Sequence, residues 1–490
     1  MHQGEPHAGR LIDNKVCAPL EVIEPSQRLL VKGGTIISLD PAVGDLAVGD
    51  LLIEGSRIAA IAPSIAGDGA EIIDATGMIL IPGFVDCHRH SWEGQLRRIN
   101  PNSNSVLDYC RATHFGFAPH YRPIDNYVGN LVTAAGCIDA GVTTIIDNSH
   151  NSRTDAHSDA AIEALLDTGI RALHAPGGPM TGAWDEEGWP FRRIDRLKRK
   201  FFKANDQLVT LAMMAQFDKE AWAIARSFGL MIVTEVNTPA LADTIELFYQ
   251  DGLLGPDNIF NHCTALPART WEILRERRVG VNVCPRSDAQ YCISDGGMST
   301  YQTACDHGFL PAFSIDNETS YSGDMFGEMR VEFFLQRAMT QRDRFEGRND
   351  VAPPVMIRQL LESATMGGAT CAGMADRIGS LTPGKQADIV MIRTDDINLY
   401  PSNNALGTVV QAAERSNIDT VIIGGRTRKR GGEIVGLDQT ALRTMIDESR
   451  SYLFREAKFQ AEPFGEMLDG FAHLNPPRNS AWPAAPVKQG

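Results

Sequence analysis

Three features are missing from this chain, and each absence excludes a class of protein. Its nine cysteines, Cys17, Cys87, Cys110, Cys137, Cys263, Cys284, Cys292, Cys305 and Cys371, are odd in number and nowhere form a CxxC pair. Such scatter argues for reduced thiols and against a disulfide framework or a zinc ribbon. Residues 1–27 lack a basic segment followed by an apolar core, and no later stretch approaches the roughly 18 uncharged apolar residues of a membrane span. A cytoplasmic, soluble protein that crosses no membrane is therefore expected. Positive charge is also short: 46 Lys and Arg face 61 Asp and Glu, a formal charge of −15. That surface repels phosphate backbones and anionic lipid, so neither nucleic acid nor a membrane is an expected partner.

What remains is ordinary globular composition, with 43% hydrophobic and 22% charged residues over 490 positions, enough for a large core. The two ends share a texture. RLLVKGGTIISLD, GDLLIEGSRIAAIAP and EIIDATGMILIPG near the start, and DRIGSLTPGKQADIVMIRT and SNIDTVIIGGRTRKRGGEIVG near the end, are β-branched runs broken by Gly and Asp turns. Five or six short strands are expected, forming one small β-sandwich domain from residues 26–82 and 376–436. Residues 437–490 are expected to add a C-terminal helix and a Pro-rich tail, extended or wrapped over a neighbour beyond 465.

Residues 83–375 change to apolar runs separated by helix-length stretches: GFVDCHRH (83–90), TTIIDNSH (143–150), IRALHAPG (170–177), LVTLAMMA (208–215), LMIVTEV (230–236), NIFNHC (258–263), VGVNVCP (279–285) and LPAFSID (310–316). Strands apolar throughout indicate a parallel sheet covered on both faces, and eight of them indicate a (β/α)8 TIM barrel in an α/β protein. An open doubly wound sheet is the alternative. It is disfavoured because no GxGxxG follows the first run and because polar residues end several runs, where barrel active sites are built.

His88 and His90 end the first run. Positions i and i+2 of a strand share a face, so both imidazoles can project into the barrel mouth while Arg89 points away. Two neutral imidazoles at one point can grip a divalent metal. The surrounding run GMILIPGFVDCHRH, preceded by VKGGTIISLD and IEGSRIAAI and followed much later by LTPGKQADIVMI and VIIGGR, resembles the amidohydrolase superfamily, in the branch of cytosine deaminase and the atrazine and triazine chlorohydrolases. The resemblance spans about residues 26–436 and implies a metal-dependent barrel hydrolase of a small-molecule substrate, assembled as a homo-oligomer.

Carried over position by position, the resemblance makes His88 and His90 first-strand metal ligands, His262 in NIFNHC the sixth-strand histidine, and Asp316 in FSIDN the eighth-strand aspartate that binds metal and shuttles protons. Taken singly, His262 also reads as a core histidine and Asp316 as a helix N-cap. The fifth run, GLMIVTEVNTP, departs from the family because it has no histidine. Either Glu235 stands at the ligand position, or Glu235 is the proton-donating acid and Ile232 replaces the ligand. The first register is favoured, since a carboxylate can bind metal and Ile232 cannot. Thr238 then occupies the acid position and faces substrate. The fourth run, LVTLAMMAQFD, has no lysine to bridge two metals by carbamylation, so one divalent ion is expected, Zn²⁺ first, with Fe²⁺, Co²⁺ and Mn²⁺ also suited to two imidazoles and two carboxylates.

Other residues are candidates for the mouth. His150 can act as the missing acid, its alternative being a bond to a strand-end carbonyl. His174 and Trp92 are candidate substrate contacts, with core packing as the alternative for each. Residues 92–125 are long for a βα connection and read as a lid, with His114, His120, Tyr121 and Arg122 as further contacts or as solvated surface. These readings converge on a mononuclear metal-dependent hydrolase of a carbon–nitrogen or comparable carbon–heteroatom bond in a small cyclic or aromatic substrate. Asp316 would take the water's proton and His262 would orient the water or the developing oxyanion. The alternatives are a heterocycle deaminase, a lyase, decarboxylase or isomerase on the same scaffold, and a catalytically dead binding protein.

Overall fold

Strands from both ends of the chain meet in one sheet. The computed structural model describes residues 11, 12, 16–20, 24, 26–187, 189–204, 206–293, 299–465, 471 and 474. The first part of the chain supplies β1 (Arg28–Ile36), β2 (Leu46–Glu54), β3 (Arg57–Ala62), β4 (Glu71–Asp74) and β5 (Met78–Pro82). Next in chain order come β6 (Phe84–Arg89), β7 (Val142–Ser149), β8 (Arg171–Pro176), β9 (Val209–Leu211), β10 (Met213–Met214), β11 (Ile232–Glu235), β12 (Asn258–Asn261), β13 (Gly280–Val283) and β14 (Ala312–Phe313). The last are β15 (Ile389–Arg393), β16 (Ile418–Ile423), β17 (Arg426–Arg430) and β18 (Glu433–Ile434).

The terminal sheet has nine strands in the order β18-β17-β16-β15-β5-β1-β2-β3, with β4 on β1. This exceeds the expected five or six, because glycine turns cut single runs into hairpins. Gly424 and Gly425 (φ 53° and 78°) reverse the chain between β16 and β17, and Gly431 and Gly432 (φ 59° and 82°) do so between β17 and β18. Two successive left-handed residues suit a two-residue hairpin whose twist matches its strands. The two ends of the chain are stitched by β5 and β15, antiparallel from Ile389↔Pro82 to Arg393↔Met78. Leu29, Val31, Leu51, Leu80 and Ile389 share that sheet's core.

The middle of the chain forms two parallel sheets, β6-β7-β8-β9 and β10-β11-β12-β13-β14. All eight expected runs carry these strands, the fourth being split at Ala212. There the chain passes from one sheet to the other: Ala212 N–H donates to His174 O and Met213 N–H to Met231 O, both at 2.9 Å. Both sheets turn Val85, Ile146, Leu173, Val233, Ile259 and Ala312 toward one inner apolar cluster. Their other faces lie with the helices in a second cluster that includes Phe84, Ala172, Ile232, Phe260 and Phe313. Burial on both faces is why these strands read as unbroken apolar runs.

After β6 the chain is not an open lid. It folds into short helical pieces at Ser91–Leu96, Val106–Cys110, Arg111–Phe117 and Ala118–His120 before the helix Pro123–Asp139. The expected C-terminal helix is Gln439–Glu456, and its Ser449 hydroxyl donates to Asp125 at 2.8 Å. Beyond 465 only Phe471 and Leu474 are described, so the expected Pro-rich tail lies outside the described residues. No described helix is long and apolar enough to cross a membrane.

One buried ion pair ties the terminal sheet to the parallel strands. Arg171 on β8 donates from Nε and Nη2 to the two carboxylate oxygens of Asp388 at 2.8 and 2.9 Å, and Gly424 N–H donates to Asp388 Oδ1 at 2.7 Å. Asp388→Ala strands the guanidinium in the interior, and a loss of about 3–5 kcal/mol is expected. Urea unfolding should show it as a lower midpoint at unchanged slope; a loss below about 1 kcal/mol would mean that the pair holds nothing together.

Candidate metal and catalytic site

Strict alternation along β6 would put Val85, Cys87 and Arg89 on one face. The pairing of β6 with β7 instead slips between Asp86↔Ile145 and Arg89↔Asp147, inserting one extra residue. Such a bulge re-aims the side chains that follow it. Cys87 still packs into the inner cluster, His88 reaches the site, and Arg89 turns away to Asp86 Oδ2 at 2.8 Å. The expected division between His88 with His90 and Arg89 is thus met.

Two more departures from regular strand geometry complete the site. His262 and Asp316 have φ of 67° and 68°, left-handed backbone that non-glycine residues rarely adopt. On β12, Ile259 faces inward and Phe260 outward, so alternation alone would send His262 outward after Asn261. The left-handed turn brings it back. Asp316 is held by both neighbours in the first strand: its N–H donates to His88 O at 2.9 Å and its carbonyl accepts His90 N–H at 2.8 Å.

The side chains then converge. Asp316 Oδ1 lies 3.0 Å from His88 Nε2 and 3.2 Å from His90 Nε2. Glu235 lies with Oε1 3.5 Å from His88 Nδ1 and Oε2 3.3 Å from His262 Nε2. Donor atoms of His88, His262 and Asp316, and of His88, His90 and Glu235, each fall within 4.8 Å of one another. Burial alone would raise both carboxyl pKa values, but the imidazoles win. His88 and His262 hold Glu235 down to about 2, and His88 and His90 hold Asp316 well below the usual carboxylate range. Three imidazoles and two ionised carboxylates form a nitrogen–oxygen donor set that fits a divalent metal. Glu235 stands at this cluster, whereas Ile232 packs in the outer one.

Several residues that sequence reasoning missed form a polar layer beneath the cluster. Ser314 Oγ donates to Asn282 at 2.6 Å, Asn282 to Asn261 Oδ1 at 3.1 Å, and Asn261 to Glu235 at 3.3 Å. Asn148 and Asn261 both also reach His88 Nδ1. Asn148, Asn261 and Ser314 share apolar runs with recognised residues, whereas Asn282 stands in a run that holds none. Ser287 and Asp288, on the turn after β13, touch Asp316 and His262.

Above the cluster opens a cavity of about 560 Å³. Its walls include Val106, Phe217, Leu241 and Ile293, with Tyr109 and Gln216 as polar points. His150, Thr238 and His262 line it as expected, and so does His114, which is buried rather than solvated. The His150 ring lies 5.0 Å from that of His90. Burial first, and then His90, push its pKa down to about 3, so it is a neutral imidazole. Thr238 Oγ accepts Ala240 N–H at 3.4 Å and starts a short helix.

Two expected substrate contacts are corrected. His174 sits on the outer face of β8, because Leu173 and Ala175 take the inner one, and its Nδ1 is bonded to Asp147 at 2.7 Å. Trp92 is fully buried with Leu96 and Phe117 and stands behind His114, ring centroids 5.4 Å apart, instead of lining the cavity. His120, Tyr121 and Arg122 are also absent from the walls; Arg122 is tied to Asp125 at 2.8 Å.

Comparison with known proteins agrees with this geometry. The chain is 26% identical over 450 residues to the 5-methylthioadenosine/S-adenosylhomocysteine deaminase of Desulforudis audaxviator, covering 85% of this chain and 97% of that protein. It is 27% identical over 451 residues to the 5'-deoxyadenosine deaminase of Methanothermobacter thermautotrophicus, covering 87% and 99%. Among solved structures it is similar in fold to an adenosine deaminase from Xanthomonas campestris with bound zinc, TM-score 0.72 at 20% identity over 88% of this chain and 100% of that one. A zinc complex of atrazine chlorohydrolase from Arthrobacter aurescens TC1 gives 0.70 at 19% identity over 87% and 100%. The expected hydrolysis of carbon–nitrogen bonds in heterocycles agrees with these relatives. The sequence model of the amidohydrolase family matches residues 79–428, and the chain belongs to that family, as a metal-dependent hydrolase with a TIM-barrel-like α/β fold.

Proposed function

We propose that this chain is a mononuclear metal aminohydrolase that removes an amino substituent from a small heteroaromatic ring of the adenine-nucleoside kind named for its relatives. The observation that carries this reading is the Glu235 carboxylate held between His88 and His262, beside Asp316 held between His88 and His90, at the floor of a cavity large enough for such a ring. His88, His90, Glu235 and Asp316 would hold one ion, Zn²⁺ first, with Fe²⁺, Co²⁺ and Mn²⁺ compatible with the same donors. When bound, the ion supplies Lewis acidity and an acidified water.

The chain's own residues do the rest. The apolar walls at Val106, Phe217, Leu241 and Ile293 take the ring and exclude bulk water. Asp316, kept ionised by its imidazole neighbours, accepts the attacking water's proton. His262 faces the same point, with Nε2 turned toward it, and orients the attacking water. Asp316 hands that proton on to the leaving amine, and His150, neutral and on the cavity wall, gives the amine a hydrogen-bond partner. A second reading rests on Thr238. A neutral hydroxyl at the acid position suits a leaving group that needs little protonation, such as the chloride that the atrazine chlorohydrolase relatives remove from a triazine ring.

The architecture follows the same reading. The Arg89↔Asp316 bridge supports closure of the two parallel sheets into a (β/α)8 barrel over residues 83–375. The core shared by Leu29 and Ile389 supports a folded-over sandwich of residues 26–82 and 376–436, followed by the helix and tail of 437–490. Nine free cysteines support a cytoplasmic location, and exposed Phe334, Phe345 and Ile397 supply apolar surface for a homo-oligomer.

Ammonia release from adenosine and 5'-deoxyadenosine, run beside chloride release from chlorotriazines, tests the proposal. Metal-replete protein that releases neither would overturn it. His88→Ala and His90→Ala are each expected to lose bound metal and turnover together, and a full metal equivalent in either variant would remove it from the ligand set. Asp316→Asn should keep most of the metal while turnover falls at least about 100-fold, the scale of a general base. Glu235→Gln should weaken metal binding and Glu235→His should restore it; normal metal with lost turnover in Glu235→Gln would make Glu235 the proton donor instead.

A further inference from the structure

Neither the sequence reading nor the family resemblance assigns a residue on β13 to the site, yet the turn that leaves it reaches both left-handed residues. The short helix Pro285–Gln290 follows Cys284, and two of its consecutive side chains, Ser287 and Asp288, point inward and are buried. Asp288 Oδ1 lies 2.7 Å from His262 Nδ1, and its Oδ2 accepts Cys284 N–H at 3.3 Å. Ser287 Oγ donates to Asp316 Oδ2. The residue before them, Arg286, points the other way and anchors the turn: Nε donates to Glu328 Oε1 at 2.6 Å and the backbone N–H to Oε2 at 3.1 Å.

We propose that Ser287 and Asp288 are positioning residues that set which atom of His262 and which oxygen of Asp316 face the reaction. The proposal rests on the metal-hydrolase reading of the same site. An ionised carboxylate only accepts hydrogen bonds, so the contact at 2.7 Å requires a proton on His262 Nδ1. With Nδ1 turned to Asp288, Nε2 is the ring atom left to face Glu235, 3.3 Å away, and the reaction beyond it. A hydrogen bond on one ring nitrogen fixes the role of the other. Ser287 does the equivalent for Asp316. By occupying Oδ2 it leaves Oδ1, the oxygen against His88 and His90, to face the metal position. The left-handed backbone at His262 and Asp316 brings these side chains to the site, and the turn after β13 fixes their orientation there.

Asp288→Asn tests this with little change in shape, because its amide can donate to Nδ1 and so favours the opposite tautomer. Two-bond proton–nitrogen spectra of [¹⁵N]histidine-labelled protein, with His262 assigned by its loss in His262→Gln, read the tautomer without any substrate. The wild type should show a protonated Nδ1, and Asp288→Asn should move that proton to Nε2. In the metal-loaded enzyme kcat should fall about 10- to 100-fold, with KM changed less than about threefold, and Asp288→Glu should recover part of the loss. Ser287→Ala should retain metal and lower kcat by about tenfold. An unchanged Nδ1 resonance in Asp288→Asn, or kcat within about twofold of wild type in both Asp288→Asn and Ser287→Ala, would overturn the proposal. Should Asp288→Asn not fold, Asp288→Glu and Ser287→Ala carry the test. Absence of turnover in the wild type would strike the hydrolase reading alone, since the tautomer readout needs none.

Discussion

Two backbone hydrogen bonds hold the site together: Asp316 N–H to His88 O, and His90 N–H to Asp316 O. They join the end of β6 to a residue three positions beyond β14, more than two hundred residues away along the chain. They set the carboxylate of Asp316 between His88 and His90. Fold and chemistry therefore share one constraint. The clustered side chains come from the end of β6, from β11 and from the segments after β12 and β14, so distant parts of both sheets must come together before they can meet.

Such a meeting is costly. Three imidazoles and two ionised carboxylates are gathered largely out of solvent, where unpaired charge is strongly unfavourable. The structure offsets this locally: each carboxylate is placed between two imidazoles, and a layer of Asn261, Asn282 and Ser314 supplies neutral dipoles from beneath. Below that layer the interior turns abruptly apolar, at Ile146, Val233 and Ile259. A cation suits the rim because the rim is where the polar groups end and a cavity begins.

The site is also where regular geometry is broken. β6 carries a bulge, and His262 and Asp316 adopt left-handed backbone without being glycine. Each break turns toward the cluster a side chain that plain alternation would send elsewhere or leave slack. β8 pairs with β7 without a shift and keeps its inward and outward faces, and His174 shows the consequence. It follows the rule of its strand, so it faces the helices and binds Asp147 instead of facing the cavity.

The sequence by itself determined the order of elements and the chemistry of the strand ends. Eight apolar runs marked the parallel strands because burial on both faces leaves no room for polar alternation, and His88, His90, Glu235, His262 and Asp316 were legible because each ends such a run. Glycine pairs marked the terminal hairpins, though the number of strands was underestimated where a turn lay inside a single run. What only the tertiary structure decided was direction and partnership. Whether His174 or Asn148 faces inward depends on the register of β7 against β8, whether Trp92 lines the cavity or backs it depends on the short helices after β6, and the reach of Ser287 and Asp288 depends on how Arg286 seats against Glu328. Those are relations between segments distant in sequence, and period and composition record only what lies within a segment.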